Sequence, residues 1–285
     1  MNGIPLVVTD LDGTLLDYRT RSVPAGFGAV LDRVLAAGAA FAVASGRTPG
    51  SVRSLFPEHA DRLWIASDNG ARLSHGAEVV FERALEPPLW RELVAEACRI
   101  GTVDVVLIGA EACYMREHGA EAAELFRRYY FPLVVAPDPA AAAGDDRIRK
   151  VLVCNRDRRP DAALDALRVR FDDRVSAVSA ERGWIDFMAA GVDKGSAIRQ
   201  LQEELGADPG RCVCFGDWEN DATMLAACGQ SYAMSGGHPA ALAAARFVAP
   251  PCEENGEIAV LDRLFPATPP SERRKARSPR TAALG

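Results

Sequence analysis

Residues 9–17 read TDLDGTLLD and decide the fold, because they directly follow the apolar run of residues 4–8, IPLVV. That run has the length and β-branched content of a buried strand, so Asp10 and Asp12 arrive where the strand ends. Open α/β sheets build their sites at this edge. Residues two apart in an extended chain point to the same side, and Gly13 permits a sharp turn just after them. The stretch therefore predicts an acidic site.

The pair Asp10 and Asp12 has two interpretations. Two like charges held this close repel each other, and a divalent cation beside a substrate would relieve that repulsion; oxygen-rich sites of this kind suit Mg²⁺. The alternative is a solvated turn, because Asp and Gly are the usual turn formers. Short motifs have many false positives, so the rest of the chain has to decide.

Composition limits the classes of protein to which this chain can belong. The chain has 285 residues, which suits one large domain or two linked ones, and its 48% apolar and 25% charged residues are ordinary for a soluble globular protein. A net charge of −6 argues against a nucleic-acid-binding protein. An acidic enzyme that handles an anion must therefore make a local positive site from a metal, a lysine or helix N-termini.

No apolar stretch approaches the roughly 20 residues of a membrane helix, and the N-terminus lacks a basic segment followed by an apolar one. These features predict a cytoplasmic protein without a membrane partner. Seven cysteines without a Cys-x-x-Cys pair do not make a disulfide framework, and Cys212 and Cys214 are interpreted as buried small apolar residues. Residues 266–285 are proline-rich and basic, which predicts a disordered tail, with an anion-binding arm as the alternative.

Apolar runs at residues 4–8, 39–44 and 63–66, separated by helical patterns, predict strands of a doubly wound parallel sheet. Each run ends in polar, glycine-containing sequence, which predicts one shared crevice. The second run ends at Ser45-Gly46-Arg47, just before a helix that Thr48 would cap. Free N–H groups there, with the Ser45 hydroxyl, would make a phosphate cradle, although a plain loop is the favoured interpretation of this motif taken alone.

The pattern changes near residue 85, and residues 85–188 predict an inserted α/β domain without a polar cluster of catalytic type. Its predicted helices are 88–100, 120–130 and 160–171, and its predicted strands are 103–109, 112–116, 147–155, 174–179 and 184–188. Residues 136–146 are rich in alanine and proline and predict a loose surface loop.

The first pattern resumes at Gly191 and brings a lysine and a second acidic cluster. Asp193 is a plausible N-cap, and a lysine directly after it is unfavourable for the helix dipole, which makes Lys194 a candidate functional residue. An ordinary exposed lysine is an equally good interpretation of this position alone. The apolar run of residues 212–215 then stops at GDWEND, residues 216–221. This second acidic cluster at a strand end mirrors the first.

Together these pieces resemble the haloacid dehalogenase superfamily of phosphatases, in its Cof-type branch with a class IIB cap. The matching stretches are DLDGTLL (10–16), SGR (45–47), GVDKG (191–195), GDWEND (216–221), and, for the branch, residues 67–71 and 254–256. The resemblance covers nearly all of residues 3–265. It implies an α/β fold: a doubly wound, Rossmann-like core of residues 1–84 and 189–265, and an inserted α/β cap of residues 85–188.

The resemblance also implies roles for individual residues. Asp10 would attack phosphorus, and Asp12 would protonate the leaving alcohol and then activate water. The phosphoryl oxygens would be held by Lys194, Ser45, Gly46 and Arg47. Asn69 would contact the substrate or the phosphate. The residues implied at the Mg²⁺ site are Asp10, Asp12, Asp217, Asn220 and Asp221.

The sequence leaves the roles of four further residues undecided. Trp184 and Asp186 either bind sugar hydroxyls or simply pack within the cap. Trp218 stands where the family often has a small or polar residue, and it either packs beside the metal loop or narrows the pocket. Gly236 stands where the family usually carries asparagine, which removes one polar contact.

The predicted function is a Mg²⁺-dependent phosphomonoester hydrolase for small phosphorylated metabolites, with sugar phosphates favoured over flavin mononucleotide or pyridoxal phosphate. A phosphomutase of the same fold is one alternative. A non-catalytic phosphate-ligand-binding protein is another, which the loss of Asp10, Asp12 or Lys194 would have favoured. The sequence predicts no oligomeric state.

Overall fold

The computed structural model describes residues 3–116, 120–127, 129–157, 159 and 162–267. The strands are β1 (Leu6–Thr9), β2 (Ala40–Ala44), β3 (Trp64–Ser67), β4 (Arg72–His75), β5 (Glu78–Glu82), β6 (Val103–Ile108), β7 (Cys113–Met115), β8 (Leu133–Val135), β9 (Lys150–Asn155), β10 (Val175–Glu181), β11 (Trp184–Ala189), β12 (Val213–Gly216), β13 (Gln230–Met234) and β14 (Phe247–Ala249). Nearly all of the tail predicted to be disordered, residues 266–285, lies outside the described residues.

The α-helices alternate with these strands. They are α1 (Phe27–Ala36), α2 (Pro49–Leu55), α3 (Pro87–Cys98), α4 (Ala120–Arg127), α5 (Pro139–Ala143), α6 (Ala162–Phe171), α7 (Lys194–Leu205), α8 (Ala222–Ala227), α9 (Pro239–Ala244) and α10 (Gly256–Leu264). None of the helices in the described part of the chain has the length and apolar character needed to cross a membrane.

The first sheet has eight strands in the order β14-β13-β12-β1-β2-β3-β4-β5. Neighbours from β14 to β3 run parallel, whereas β4 and β5 add an antiparallel hairpin at one edge. Val7 packs into the cluster that holds α1 and α10, and Leu6 and Val8 pack into the cluster that holds α7 and α8. Helices therefore cover both faces, as the apolar strands require. The predicted doubly wound core is confirmed.

Helix α7 begins where the sequence predicts. Asp193 Oδ1 accepts a hydrogen bond from the Ser196 backbone N–H at 2.6 Å, and the Ser196 hydroxyl accepts one from the Asp193 N–H at 3.0 Å. This reciprocal cap satisfies two N–H groups that have no partner within the helix. It places Lys194 in the first turn, at the carboxyl edge of the parallel strands.

The second sheet has six strands in the order β10-β11-β9-β6-β7-β8, and the predicted cap fold is confirmed. One prediction in this region was wrong. Residues 136–146 are not a loose loop throughout, because they contain α5, which Asp138 caps by accepting hydrogen bonds from the N–H groups of Ala140 and Ala141 at 3.0 and 3.1 Å. The short strand β8 was not predicted. The domain boundaries at residues 84 and 188 stay predictions.

Ion pairs hold the second sheet and its helices against the first sheet. Arg149 Nε lies 2.8 Å from Asp68 Oδ2, and Arg149 Nη1 lies 2.9 Å from Glu82 Oε2. Arg168 Nη2 lies 2.9 Å from Glu219 Oε1 on the far side of the crevice. The two layers therefore close over the carboxyl ends of the parallel strands.

Candidate active site

Three buried carboxylates meet at the carboxyl edge of the parallel sheet. Asp10 follows β1, whereas Asp217 and Asp221 follow β12, which is the hydrogen-bonded neighbour of β1. One carboxylate oxygen from each of the three lies within 4.8 Å of the others. Residues that are about two hundred positions apart in the chain therefore form one acidic cluster, as their positions at neighbouring strand ends predict.

Lys194 joins this cluster from the first turn of α7. Its Nζ donates to Asp10 Oδ1 and to Asp221 Oδ1, both at 2.6 Å, and its side chain is 1% exposed. The two carboxylates raise the pKa of the lysine even though burial lowers it. Lys194 is therefore a buried cation and not an exposed surface lysine.

The cluster has more buried negative charge than Lys194 can balance. Burial, and then the charge of Asp221, raise the pKa of Asp10 to about 7, against the opposing effect of Lys194. Burial, and then the charge of Asp10, likewise hold the pKa of Asp217 well above its ordinary value. An all-oxygen donor set with excess negative charge fits a hard divalent cation.

Side-chain hydroxyls orient the carboxylate of Asp217, and backbone N–H groups orient that of Asp221. Asp217 Oδ1 accepts a hydrogen bond from the Thr14 hydroxyl at 2.8 Å, and Asp217 Oδ2 accepts one from the Tyr18 hydroxyl at 3.1 Å. Asp221 Oδ2 accepts from the N–H groups of Asp217 and Trp218, both at 2.9 Å. Asp221 therefore fixes the loop that carries Asp217 while its other oxygen binds Lys194.

Ser45, Gly46 and Arg47 lie in the turn between β2 and α2. Ser45 is buried, and its hydroxyl accepts a hydrogen bond from the Arg47 N–H at 3.2 Å. The Arg47 guanidinium binds Asp12 with both ends of its fork, at 2.7 Å from Nε and 2.6 Å from Nη2. Its other side lies against the ring of Tyr129, with 4.7 Å between Cζ and the ring centroid. The carboxylate of Asp12 is thus paired with Arg47 and is not part of the three-carboxylate cluster.

A hydrogen-bonded chain links the loop of residues 217–221 to the second sheet. Asn220 Nδ2 donates to Asn69 Oδ1 at 3.0 Å, and Asn69 Nδ2 donates to Asp186 Oδ2 at 2.6 Å. Asp186 also accepts from Lys150 Nζ at 2.9 Å. The inserted segment was predicted to have no polar cluster of catalytic type, and that stays a prediction; the structure nevertheless places Lys150 of β9 and Asp186 of β11 beside the site. Because the residues that follow Lys150 in β9 are apolar, the segment resembled an ordinary buried strand, and Lys150 was not predicted as a site residue.

Aromatic side chains close the site. A cavity of about 70 Å³ is bordered by Asp10, Ser45 and Asp186 and, on the aromatic side, by Tyr129, Tyr130, Trp184 and Trp218. Trp184 also packs against Phe126, with ring centroids 5.6 Å apart, so its side chain both packs within the second sheet's core and borders the cavity. Trp218 packs against His238 at 5.1 Å and borders the same cavity. Gly236 has a φ of 86°, a backbone conformation that glycine adopts without strain and that other residues rarely adopt.

A family model for haloacid dehalogenase-like hydrolases matches residues 7–261. The chain belongs to this family. The resemblance carried by its sequence motifs is therefore confirmed. A 5-amino-6-(5-phospho-D-ribitylamino)uracil phosphatase of Escherichia coli is 28% identical to this hydrolase over 262 residues, which cover 92% of this chain and 96% of the relative. The predicted enzyme class, a phosphatase that acts on phosphorylated substrates, is also confirmed.

Solved structures show the same fold. A Streptococcus mutans protein superposes on this hydrolase with a TM-score of 0.84 at 21% identity, covering 93% of this chain and 100% of that one. A protein described as a subclass IIB sugar phosphatase, BT4131, superposes with a TM-score of 0.79 at 19% identity, covering 91% and 98%. At these sequence identities, the structural similarity shows a shared fold and nothing further.

Proposed function

We propose that this hydrolase is a Mg²⁺-dependent phosphomonoesterase that uses Asp10 as its nucleophile and acts on small phosphorylated metabolites, with sugar phosphates as the favoured class. The observation that carries the proposal is the convergence of Asp10, Asp217 and Asp221 around Lys194. The proposal assigns residues 1–84 and 189–265 to the catalytic core and residues 85–188 to a cap.

The carboxylates of Asp10, Asp217 and Asp221 would hold Mg²⁺, and Asn220 and Asp12 would support the ion and its waters. When bound, Mg²⁺ neutralises buried negative charge and withdraws charge from the transferring phosphoryl group. Burial, and then the charge of Asp221, raise the pKa of Asp10 to about 7, and a cation beside the carboxylate would oppose that shift, which supports this assignment.

In the first step, a carboxylate oxygen of Asp10 attacks phosphorus, and the bond between phosphorus and the ester oxygen breaks. Lys194 holds Asp10 Oδ1, so the other carboxylate oxygen is the one available for attack. Lys194, the Ser45 hydroxyl and the backbone of the 45–47 turn would bind the phosphoryl oxygens, an arrangement in which positioning supplies most of the acceleration. Asp12 gives a proton to the departing alkoxide.

In the second step, water attacks the phosphorus of the aspartyl-phosphate while Asp12 takes its proton, and the bond to Asp10 breaks to release phosphate. Asp12 is held by Arg47 in this structure, at 2.6 and 2.7 Å. For Asp12 to serve as acid and base, its carboxyl must leave Arg47. The pairing of Arg47 with Asp12 therefore corresponds to a resting state. An incoming phosphate would attract the Arg47 guanidinium and free the Asp12 carboxyl.

The cavity supports a polar, hydroxyl-bearing leaving group. Asp186 borders the cavity beside the aromatic rings, which is a typical surface for a sugar or polyol. The substrate in the name of the Escherichia coli relative also carries its phosphate on a ribityl chain. A volume of about 70 Å³ is smaller than the roughly 300 Å³ of a typical ligand pocket, so the cap has to open for the substrate to enter.

The test is phosphate release from a panel of phosphorylated metabolites, with Mg²⁺ or with EDTA. Wild type and Asp10→Asn are compared, with the exposed Asp172→Asn as the matched control. We expect turnover that requires Mg²⁺, is unchanged in Asp172→Asn and is lost in Asp10→Asn. Equal rates in wild type and Asp10→Asn would reject the nucleophile. Isomerisation of a sugar phosphate without net phosphate release would instead identify a mutase.

A further inference from the structure

Lys150 is fully buried at the contact between the two sheets. Its Nζ donates to Asp186 Oδ2 at 2.9 Å and to the Gly46 carbonyl oxygen at 2.7 Å, and the Tyr130 hydroxyl lies 3.4 Å away. One ammonium group thus joins a carboxylate of the second sheet to the backbone of the turn that follows β2. Such a buried charge is retained only when its partners are well placed.

The two oxygens of Asp186 have different surroundings. Oδ2 accepts hydrogen bonds from Lys150 and from Asn69, at 2.9 and 2.6 Å. Oδ1 is buried as well, but it has no hydrogen-bond partner among the described residues. The side chain is 1% exposed and borders the cavity that contains Asp10 and Ser45. A buried acceptor without a partner is costly, and such a group requires an explanation.

We propose that Lys150 is a positioning residue: it fixes Asp186 Oδ2 so that Oδ1 accepts a hydrogen bond from a hydroxyl group of the leaving alcohol. The inference rests on the proposed phosphatase function and names the group that reads the substrate beyond the phosphate. Lys150 itself does not border the cavity, so it acts through Asp186.

The position of this acceptor is tied to both sides of the phosphate site. Lys150 holds Gly46, next to Ser45, and Asn69 links Asp186 to Asn220 of the metal loop. Asp186 Oδ1 is thereby held at a set distance from the place where phosphorus would lie. A site built to bind a hydroxyl discriminates strongly against an analogue without one, because its buried acceptor then stays unpaired.

The experiment compares two esters of equal carbon number, glycerol 1-phosphate and propyl phosphate, which differ only in hydroxyl groups. The values of kcat and KM for each are measured in wild type, Lys150→Met and Asp186→Asn. Arg149→Met is the matched control, because Arg149 is the preceding residue, is buried like Lys150, and pairs with Asp68 and Glu82 instead of Asp186.

We expect wild type to prefer the glycerol ester in kcat/KM, and this preference to fall by about 10-fold or more in Lys150→Met and in Asp186→Asn. Arg149→Met should keep the wild-type preference even if it is less stable. If Lys150→Met folds poorly, the double variant Lys150→Met/Asp186→Asn removes both charges together and should show the same loss. An equal fall for both esters, or the same loss of preference in Arg149→Met, would overturn the inference.

Binding separates this inference from the proposed function. The affinities of the two esters for Asp10→Asn, measured by calorimetry with Mg²⁺, should show the same preference without turnover. If the glycerol ester is bound preferentially but wild type releases no phosphate from it, the phosphatase mechanism is rejected and the role of Asp186 is kept. Turnover of both esters without any preference would reject the role of Lys150 and Asp186 and keep the phosphatase.

Discussion

The ammonium group of Lys194 lies 2.6 Å from Asp10 Oδ1, although 184 positions separate the two residues in the chain. A positive charge in the first turn of a helix opposes the helix dipole. Two buried carboxylates, Asp10 and Asp221, outweigh that cost because both accept hydrogen bonds from it. The contact joins the acidic strand end to the start of α7.

Replacing Lys194 by methionine should lower kcat by about 10²–10³-fold, because a charged donor to the reacting groups is lost. The variant should also be less stable by about 3–5 kcal/mol without metal, since two buried carboxylates lose their counter-charge. Mg²⁺ should restore more stability to the variant than to wild type. Steady-state kinetics and urea unfolding with and without Mg²⁺ measure both effects. The exposed Arg99→Met is the control, and an unchanged kcat in Lys194→Met would contradict the role.

Glu257 makes stability depend on pH. It lies in the first turn of α10, is 1% exposed, and accepts a hydrogen bond from the Thr9 hydroxyl at 2.7 Å, whereas its Oε1 has no partner in the described part of the chain. Burial, with a smaller contribution from the charge of Asp10, raises the pKa of Glu257 from 4.5 to about 8, against the opposing effect of the hydrogen bond from Thr9. The folded protein therefore binds this proton more tightly than the unfolded chain does.

The free energy of unfolding should thus lose a contribution as pH rises from about 4.5 to about 8. Glu257→Gln removes this loss, so the variant should gain stability relative to wild type across that range, by on the order of 3 kcal/mol at pH 8. Urea unfolding at pH 5 and pH 8 measures it, with the exposed Glu254→Gln as control. The same difference between variant and wild type at both pH values would show that Glu257 does not titrate in this range.

Arg149 should contribute strongly to stability because its ion pairs are buried. Its side chain is 3% exposed and lies 2.8 Å from Asp68, which is fully buried. Arg149→Met would leave that carboxylate without its cation and should cost about 3–5 kcal/mol in urea unfolding. Arg174→Met breaks an exposed pair with Glu92 and should have a much smaller effect. Equal losses in the two variants would contradict this explanation.

Gly195 allows α7 to approach α8 closely enough to place Lys194. A Cβ at this position would lie 2.4 Å from the Thr223 carbonyl oxygen, which is backbone and cannot move aside. Gly195→Ala should therefore shift α7, lower kcat and reduce stability by about 1–3 kcal/mol. Gly28→Ala, in helix α1, has only an ordinary 3.5 Å contact with His59 and should be neutral or stabilising by up to about 1 kcal/mol. Activity and thermal unfolding compare the two, and a similar response in both would reject the packing argument.

Much of the core could be predicted because local chemistry and the fold agree there. Asp193 caps its helix as expected, and the acidic motifs follow strands whose parallel order brings their ends together. The predictions failed where local signals were weak. Helix α5 has five residues and strand β8 has three, so neither is long enough to show the repeat of apolar residues that identifies a helix or a strand.

Lys150 shows the limit of motif reasoning at the site. Its neighbours in β9 are apolar and buried, and nothing nearby in the sequence marks a polar partner. Its partner Asp186 lies 36 positions away, on the adjacent strand β11. Only the register between these strands, and the docking of that sheet over β2, brings the ammonium to Gly46.

The sequence by itself determined the family, the strand-end positions of Asp10, Ser45 and Asp217, and the helix start that presents Lys194. These follow from contacts within a few residues, such as strand periodicity, capping and turn chemistry. The tertiary structure decided that Arg47 engages Asp12, that Glu257 is buried near Asp10, and that Lys150 holds Asp186. Such pairings depend on how distant surfaces pack and exclude water, which no short stretch of chain specifies.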